Sequence, residues 1–505
     1  MNASSQAQSA HVGDGCGLAN VTPAATGESR IGRHTLYNVL GLGAPLLVAV
    51  FTIPLLITGL GEARFGLLTL IWAVASYFGL FDLGLGRALT QRLAATLARG
   101  QAAAAGALLG TTLTMMLALG VVAGGAMAIG APWGIDAVQG VPERDELLRA
   151  ALWIALAMPA IILTSGLRGV LEAVHAFGTV NLIRLPMGLF TFIGPLVVVW
   201  IAGPRLDLIA AVLAAGRVVA CAVHAVCAAR VMPRPLGLAF ERSQIMPLAA
   251  AGGWLSISNV ISPFMGYADR FIVGVLISAT AVAWYATPHE LVSKLWIVPG
   301  ALTAVLFPTF AARFACGGAG SLALFSRATD ALFALLIPVT VGIALFAHEG
   351  LAWWVGPDFA AQSAPLLQVF AGGTLINCLA HVPFTLIQSA GAARLTALAH
   401  AVELPLFIAL LWLLTTHYGA MGAAVAWLAR VVLDTTLMFE LCRRLLGWSM
   451  TAVVNPPRMA LAALAALAFA GMALPSPVWR AVWLAGATLA ALWCLRLTLR
   501  RPTAV

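Results

Sequence analysis

The feature that most constrains this chain is the recurrence of long apolar segments from about residue 35 to residue 496. Several of them reach the length of about 18 to 20 residues that a helix needs to cross the hydrocarbon core of a bilayer. Of the 505 residues, 61% are hydrophobic and only 9% are charged. The alternation of polar and apolar residues that marks a membrane β-barrel is absent. The sequence therefore predicts an all-α polytopic membrane protein.

Charged residues, prolines and glycines divide the apolar sequence into about 14 predicted transmembrane helices. Six fall in residues 30–230, six in residues 249–445 and two in residues 446–505, and a basic, proline-containing cytoplasmic linker at 231–248 separates the two sixes. Residues 1–29 lack the apolar core of a signal peptide and are predicted to be a disordered cytoplasmic tail. The predicted spans lie near 34–58, 65–84, 106–130, 150–167, 178–202, 207–229, 249–276, 281–312, 328–347, 363–388, 394–416, 419–441, 457–475 and 478–496.

The basic residues predict how the chain is oriented in the membrane. Of the 28 lysines and arginines, 18 fall in the terminal regions and the loops on one side, 5 fall in the opposite loops and 5 fall inside spans. Basic loop residues are retained on the cytoplasmic side. Both termini are therefore predicted to be cytoplasmic, and the net charge of +9 is assigned to this face rather than to a nucleic-acid partner.

A weak internal repeat relates the two sets of six spans. An Ala-Ala-Val sequence precedes Arg217-Val-Val in the sixth span, and the same pattern precedes Arg430-Val-Val in the twelfth, at an offset of 213. Because six is an even number, both halves enter the membrane in the same direction and can be related by an axis along the membrane normal. The sequence predicts two pseudo-symmetric six-helix lobes, an arrangement typical of transporters, with two additional C-terminal helices.

Several classes of site are missing from the sequence. There is no GxxxxGK[ST] loop for a nucleotide and no second histidine to complete a zinc-protease HExxH motif. The 7 cysteines form no CxxC pair. The gaps between spans leave no room for an extramembrane catalytic domain. We therefore expect no cofactor, no metal and no enzymatic activity.

Five basic residues inside the spans are the candidates for a substrate-binding cavity between the lobes. A cation at the bilayer centre costs about 2.5–3.5 kcal/mol, so such residues generally face a cavity or a partner. Positive charge there would bind an anionic group such as a phosphate. Two alternatives stay open, namely that one arginine snorkels to the interface and that another pairs with a carboxylate four positions on. The five residues are Arg184, Arg217, Arg270, Lys294 and Arg430. Snorkelling is the alternative for Arg184, and pairing with Asp434 is the alternative for Arg430.

Five carboxylates are candidates for cation coupling or for internal ion pairs: Asp82, Asp269, Glu290, Glu403 and Asp434. Glu290 lies four positions before Lys294, so a locked ion pair is the alternative to a functional role. Asp269 precedes Arg270 directly, and the two side chains are expected to point to different sides of the helix. Glu403 has no opposite charge within a helical turn. It suits proton coupling, although a protonated structural hydrogen bond is an alternative.

Several stretches resemble Wzx-type oligosaccharide flippases. Residues 59–92, which include Tyr-Phe-Gly-Leu-Phe-Asp-Leu-Gly-Leu-Gly-Arg, resemble the second-helix signature of that family. The stretch Ala-Asp-Arg-Phe-Ile-Val-Gly at 268–274, Val-Ala-Trp-Tyr at 282–285 and Leu-Phe-Pro at 306–308 resemble its seventh and eighth helices, and residues 418–434 resemble its twelfth. The resemblance extends through both halves of the chain.

That family belongs to the multidrug/oligosaccharidyl-lipid/polysaccharide exporter superfamily, so the resemblance implies a MATE-like fold in a bacterial inner membrane. It implies translocation of undecaprenyl-pyrophosphate-linked oligosaccharide from the cytoplasmic to the periplasmic leaflet by alternating access, for O-antigen or exopolysaccharide synthesis. The implied partners are this lipid-linked oligosaccharide, membrane lipids and a polysaccharide polymerase or chain-length regulator. Alternatives are a drug/cation antiporter of the same superfamily and a membrane-embedded polymerase or ligase. The two C-terminal helices occur also in the lipid II flippase branch.

Overall fold

The computed structural model describes residues 45–79, 82–232, 239–315, 318 and 320–500. These residues form helices joined by short connections, and no strand occurs among them. The predicted tail at 1–29 and the beginning of the first predicted span lie outside the described residues. The helices are α1 (Pro45–Leu60), α2 (Glu62–Phe78), α3 (Leu85–Ala98), α4 (Ala102–Ala137), α5 (Arg144–Ala173), α6 (Phe177–Ala202), α7 (Leu206–Val231), α8 (Arg242–Leu276), α9 (Ala279–Ser293), α10 (Ile297–Ala315), α11 (Ser321–Leu345), α12 (Ala347–Trp354), α13 (Pro357–Ser389), α14 (Ala393–Leu446), α15 (Met450–Val453), α16 (Pro456–Ala470) and α17 (Pro477–Arg500).

The helices are compatible with the 14 predicted crossings. Within the described part of the chain, 10 helical stretches are long and apolar enough to cross a membrane, with α9 and α10 counted as one stretch. The helix α14, 54 residues long, covers two predicted crossings because it is broken at Gly419. The remaining three predicted crossings fall on α1, α2 and α8.

Two interruptions divide long helices, and each has a local cause. A short 3-10 turn at Lys294–Trp296 separates α9 from α10. It lies just before Pro299, whose ring would collide with the carbonyl four residues earlier in a regular helix. In α14 the chain reverses at Gly419, where φ is 60° and ψ is −145°. Only glycine adopts such a positive φ without strain.

Two helices of eight or more residues lie in regions where the sequence predicted loops. The helix α3 follows the second span and carries two basic residues, Arg87 and Arg92, which made this stretch read as a cytoplasmic loop. It buries Leu85, Leu89 and Leu93 against the neighbouring helices, so its hydrophobic face fixes it to the protein. The second is the eight-residue α12, which buries Leu351.

The hydrophobic core shows how α1–α7, the N-lobe, pack on α8–α14, the C-lobe. One large cluster joins the two lobes and includes Phe65 of α2 and Tyr285 of α9. Two further clusters are separate, one built mainly of N-lobe residues around Leu89 and one of C-lobe residues around Phe325. The lobes are therefore packed together at one end of the molecule and part at the other. We call the first end, with the connections at 138–143, 203–205 and 277–278, the closed face and the second, with the connections at 174–176 and 390–392, the open face.

Two ion pairs, one of them buried, fix the hairpin of α16 and α17 to the C-lobe. Arg458 Nε of α16 lies 2.9 Å from Asp330 Oδ1 of α11, and both side chains are buried. The Arg458 guanidinium also lies 5.5 Å from the centre of the Phe325 ring. At the other end of the hairpin, Arg480 Nη1 lies 2.8 Å from Glu349 Oε1. The two C-terminal helices are therefore an integral part of the C-lobe.

Candidate functional site

A large cavity of about 1030 Å³ lies between the two lobes and reaches the open face. Side chains from α3 and α5 form its N-lobe wall, and side chains from α8, α9, α13 and α14 form its C-lobe wall. Near the mouth, Arg168 and Glu172 of α5 are 48% and 39% exposed and lie 3.6 Å apart. The cavity is thus a deep polar depression in an otherwise apolar protein.

At the closed face the lobes make contacts that seal the cavity. The α2 and α9 helices touch at Gly66, where a Cβ atom would lie only 1.9 Å from the carbonyl oxygen of Ala279. The Trp284 indole Nε1 donates to Glu62 Oε2 across the lobe interface at 3.0 Å. The Ala279 amide donates to the Gln139 carbonyl at 2.8 Å. Contacts of this kind hold the two lobes together at the closed face.

Three predicted residues form one ion-pair network in the cavity wall. Glu290 accepts from Arg270 Nη2 at 2.7 Å and from Lys294 Nζ at 2.8 Å. The Arg270 side chain is only 4% exposed, whereas those of Glu290 and Lys294 are 36% and 42% exposed. The i,i+4 pair of Glu290 and Lys294 therefore forms, and it is extended by a buried arginine from α8. One carboxylate holds two cations, so the network keeps a net positive charge.

The two adjacent residues Asp269 and Arg270 point in different directions, as the helix geometry predicted. Asp269 is fully buried and accepts from the Tyr285 hydroxyl of α9 at 2.7 Å. Its other oxygen accepts from the Arg270 amide at 2.8 Å. Only Arg270 lines the cavity. Asp269 ties α8 to α9.

Arg430 lines the cavity but does not pair with Asp434, the alternative suggested by their spacing. The Arg430 guanidinium lies 5.6 Å from the centre of the Phe407 ring, and its Nε has no hydrogen-bond partner among the described residues. Asp434 turns instead toward His400, with Oδ1 lying 3.5 Å from Nε2. The Arg430 charge is therefore not neutralised by an ion pair within the described part of the chain.

Glu403 lies behind this part of the wall. It is 1% exposed, does not line the cavity and has no hydrogen-bond partner for either oxygen among the described residues. Ligand atoms of His400, Glu403 and Asp434 all lie within 4.8 Å of one another. The carboxylate that seemed isolated in the sequence is therefore close to a second carboxylate from the other half of α14.

The structure places the remaining predicted residues differently. Arg184 and Arg217 lie on α6 and α7 and do not line the cavity, because these helices pack behind the cavity-lining helices of the N-lobe. Asp82 does line it, but its oxygens accept from the amides of Gly84 and Gly86 at 3.0 and 3.1 Å and from Ser165 Oγ at 2.6 Å. Asp82 thus caps α3 and fastens it to α5.

The sequence analysis missed the aromatic lining of the cavity. His289 packs between Phe370 and Trp427, with ring centres 5.0 and 5.2 Å away. Trp427 fits there because Gly373 faces it, and a Cβ at that position would lie 2.2 Å from the indole ring. Gly373 was the one feature of the local sequence that could have indicated this aromatic packing. The aromatic residues that line the cavity are Tyr267, Trp296, Phe307, Phe384 and Trp427.

A smaller pocket of about 240 Å³ adjoins the ion-pair network from the other side. It is lined mostly by apolar side chains of α1, α2, α6 and α9, among them Ile53, Trp72 and Phe192. Tyr267, Arg270, Glu290 and Lys294 line both this pocket and the large cavity. The charged network therefore stands at a boundary between a polar space and an apolar one.

The fold and the cavity define a two-lobed, multi-pass membrane protein with a MATE-like fold. The structure is similar to the lipid II flippase MurJ in an inward closed conformation, with a TM-score of 0.70, 10% identity and coverage of 92% of this chain and 100% of that one. It is also similar to a MATE-family multidrug resistance transporter in an inward-facing conformation, with a TM-score of 0.68, 14% identity and coverage of 82% and 94%.

Sequence comparison then assigns the family. Residues 31–314 match the family described as "Polysaccharide biosynthesis protein". The chain is 30% identical over 421 residues to a Shigella flexneri protein named "Putative O-antigen transporter", which covers 82% of this chain and 98% of that protein. The chain therefore belongs to the polysaccharide biosynthesis protein family, and the predicted family resemblance is confirmed.

Proposed function

We propose that this protein moves an undecaprenyl-pyrophosphate-linked oligosaccharide from the cytoplasmic to the periplasmic leaflet of a bacterial inner membrane by alternating access. Family membership supports flipping of lipid-linked oligosaccharides in general. The observation that carries the finer proposal is Arg430, a cation in the wall of a large cavity that has no ion-pair partner among the described residues. A charge in this position suits a mobile anionic ligand, because a permanent partner would occupy it.

The two adjoining pockets match the two chemical parts of such a substrate. Sugars need hydrogen-bonding groups beside flat apolar surfaces, and the cavity offers Asn377, Thr385 and Gln388 beside the aromatic residues that line it. The pyrophosphate would lie against Arg430, and the shared Arg270–Lys294 network would attract it further. The smaller apolar pocket would accept the first isoprene units of the lipid.

The predicted orientation sets the direction of loading. With both termini cytoplasmic, the open face is the cytoplasmic one, so the cavity receives substrate where lipid-linked repeat units are made. Rocking of the two lobes would open the closed face and release the substrate to the periplasmic leaflet. The drug/cation antiporter alternative calls for negative charge in the cavity, whereas the cation without a partner favours an anionic substrate.

The test is the leaflet location of lipid-linked oligosaccharide in spheroplasts of a deletion strain. Complementation with the wild-type gene should move complete repeat units to the periplasmic leaflet. The Arg430→Ala variant should lower the rate about tenfold to a hundredfold, since a charge-assisted hydrogen bond contributes about 1.5–3 kcal/mol. Arg496→Ala, which removes an exposed arginine from α17, is the control and should transport normally. Repeat units that reach the periplasm in the deletion strain would overturn the proposal.

A further inference from the structure

One residue of the connection between α4 and α5 bonds to the ends of two C-lobe helices at the closed face. The Gln139 amide donates to the Gly274 carbonyl at 3.1 Å, and the Gln139 carbonyl accepts from the Ala279 amide at 2.8 Å. The Gln139 side chain adds a third bond, from Nε2 to the Val275 carbonyl at 3.2 Å. A single N-lobe residue therefore makes three hydrogen bonds to the turn between α8 and α9.

The three groups that Gln139 reaches are groups for which α8 and α9 have no partner of their own. An α-helix cannot satisfy its last four carbonyls or its first four amides within itself. Gly274 and Val275 lie in the last turn of α8, which ends at Leu276, and Ala279 is the first residue of α9. Gln139 thus acts on this turn as a capping residue, but it comes from the other lobe.

Two glycines allow the connection to approach the turn closely. Gly140, directly after Gln139, has a φ of 70°, which glycine adopts without strain. A Cβ on Gly140 would lie 3.6 Å from the Ser278 Cβ, which is van der Waals contact. On the C-lobe side, a Cβ on Gly274 would lie 3.7 Å from the Val138 Cγ1. The two segments are therefore fitted to each other along their length.

The contact contains no ionisable side chain. The sequence is Val-Gln-Gly-Val at 138–141 and Gly-Val-Leu-Ile-Ser-Ala at 274–279. Gln139 is exposed, so water can replace each of its hydrogen bonds when the segments part. Separation of a buried ion pair would instead leave a charge without a partner in a low-dielectric interior. The contact can therefore open and close without burying an unpaired charge.

We propose that residues 138–141 form a clasp that holds the N-lobe to the α8–α9 turn, and that release of this clasp opens the cavity at the closed face. The inference rests on the proposed alternating access. While the clasp is closed, the bonds of Gln139 keep the beginning of α9 against the N-lobe. Because the clasp has no charge, neither pH nor ionic strength acts on it directly.

The test locks the clasp with a disulfide in the full-length protein, after the 7 native cysteines have been replaced. The pair is Gly140→Cys with Ser278→Cys, whose Cβ atoms would lie 3.6 Å apart, inside the range of about 3.5–4.5 Å for a disulfide. Oxidation with copper phenanthroline should lower the rate of flipping in spheroplasts at least about tenfold, because the locked protein keeps only one state. Dithiothreitol should restore the rate to that of the reduced pair.

Gly59→Cys with Val199→Cys is the matched control. The two Cβ atoms would lie 3.9 Å apart and join α1 to α6 inside the N-lobe, so oxidation should leave flipping unchanged. Unchanged flipping by the oxidised 140–278 pair would overturn the clasp, as would failure of the folded protein to form this disulfide. Absence of flipping by the wild type would instead overturn the proposed function.

A second variant tests the clasp without measuring transport. Alanine is strained at the φ of Gly140, so Gly140→Ala should weaken the closed clasp. Labelling of a cysteine at Ser293, which lines the cavity, should then rise about fivefold from the periplasmic side. Labelling equal to that of the protein with Gly140 would show that the clasp does not hold the closed face.

Discussion

At the scale of single residues, Glu290 has the largest effect on the cavity wall because one carboxylate holds two cations. Arg270 is buried and depends on Glu290, whereas Lys294 is 42% exposed and can turn to water. Removing one partner of a buried ion pair costs about 3–5 kcal/mol, and an exposed pair contributes about 0–1 kcal/mol. The two pairs made by Glu290 should therefore differ strongly in their contribution to stability.

We expect Glu290→Gln to destabilise the purified protein by about 2 kcal/mol, with water in the cavity screening part of the loss. Lys294→Gln keeps the Arg270–Glu290 pair and should cost less than about 0.5 kcal/mol. Thermal melting in detergent compares the two variants with the wild type. Equal melting temperatures for both variants would show that Arg270 does not need the carboxylate.

At the scale of elements, the reversal inside α14 determines which side chains reach the C-lobe wall. Beyond Gly419, the chain passes so closely that a Cβ on Gly422 would lie 1.9 Å from the Leu414 carbonyl oxygen. We expect Gly422→Ala to lower stability by at least about 1–3 kcal/mol, the range for overpacking. Gly486→Ala in α17 is the control, because its Cβ would meet nothing within 4 Å. There alanine should be neutral or stabilising by up to about 1 kcal/mol, since it is the better helix former. Melting curves that do not separate the two variants would contradict this.

The helices were predictable from the sequence because hydropathy is a local property. The break in α14 was predicted between residues 416 and 419, since glycine and the hydropathy pattern both mark it. The pair of Glu290 and Lys294 followed from one-turn spacing. The contact of Glu290 with Arg270 joins different helices, so it needed the tertiary fold. The position of a residue along a predicted span does not determine in which direction its side chain points.

The same limit explains why the structure places some candidate residues away from the cavity and why others were missed. Arg217 and Arg430 occupy equivalent places in the internal repeat, yet only Arg430 lines the cavity. Packing of α7 behind α5 cannot be read from a repeat of six matching residues. In the case of α3, the charges at Arg87 and Arg92 outweighed the apolar face that holds it in place.

At the scale of the whole molecule, the large core cluster that the two lobes share lies at the closed face. The contact of Gly66 with Ala279 and the hydrogen bond between Trp284 and Glu62 belong to this seal. Both must break before the cavity can open on that side. Because each lobe has a core cluster of its own, the proposed alternating access would move the lobes as units, and the seal would set the balance between its two states.

We therefore expect Gly66→Val to shift the protein toward a state in which the cavity opens on the side of the closed face. The valine side chain cannot fit against the Ala279 carbonyl, so the contact at the closed face loses stability. In the opened state this contact is absent. A cysteine at Ser293, which lines the cavity, reports the change when the 7 native cysteines have been replaced. In the protein that retains Gly66, an impermeant maleimide should label the cysteine at position 293 in inverted vesicles only.

With Gly66→Val, labelling from the periplasmic side of spheroplasts should rise about tenfold, which corresponds to a shift of about 1.4 kcal/mol between the states. Gly125→Val, at an exposed position of α4 where a Cβ would meet nothing within 4 Å, controls for the added bulk and should leave labelling unchanged. Labelling of the wild type from the periplasmic side alone would reverse the predicted orientation of the chain. Unchanged labelling of a stably inserted Gly66→Val protein would show that the α2–α9 contact is not the seal.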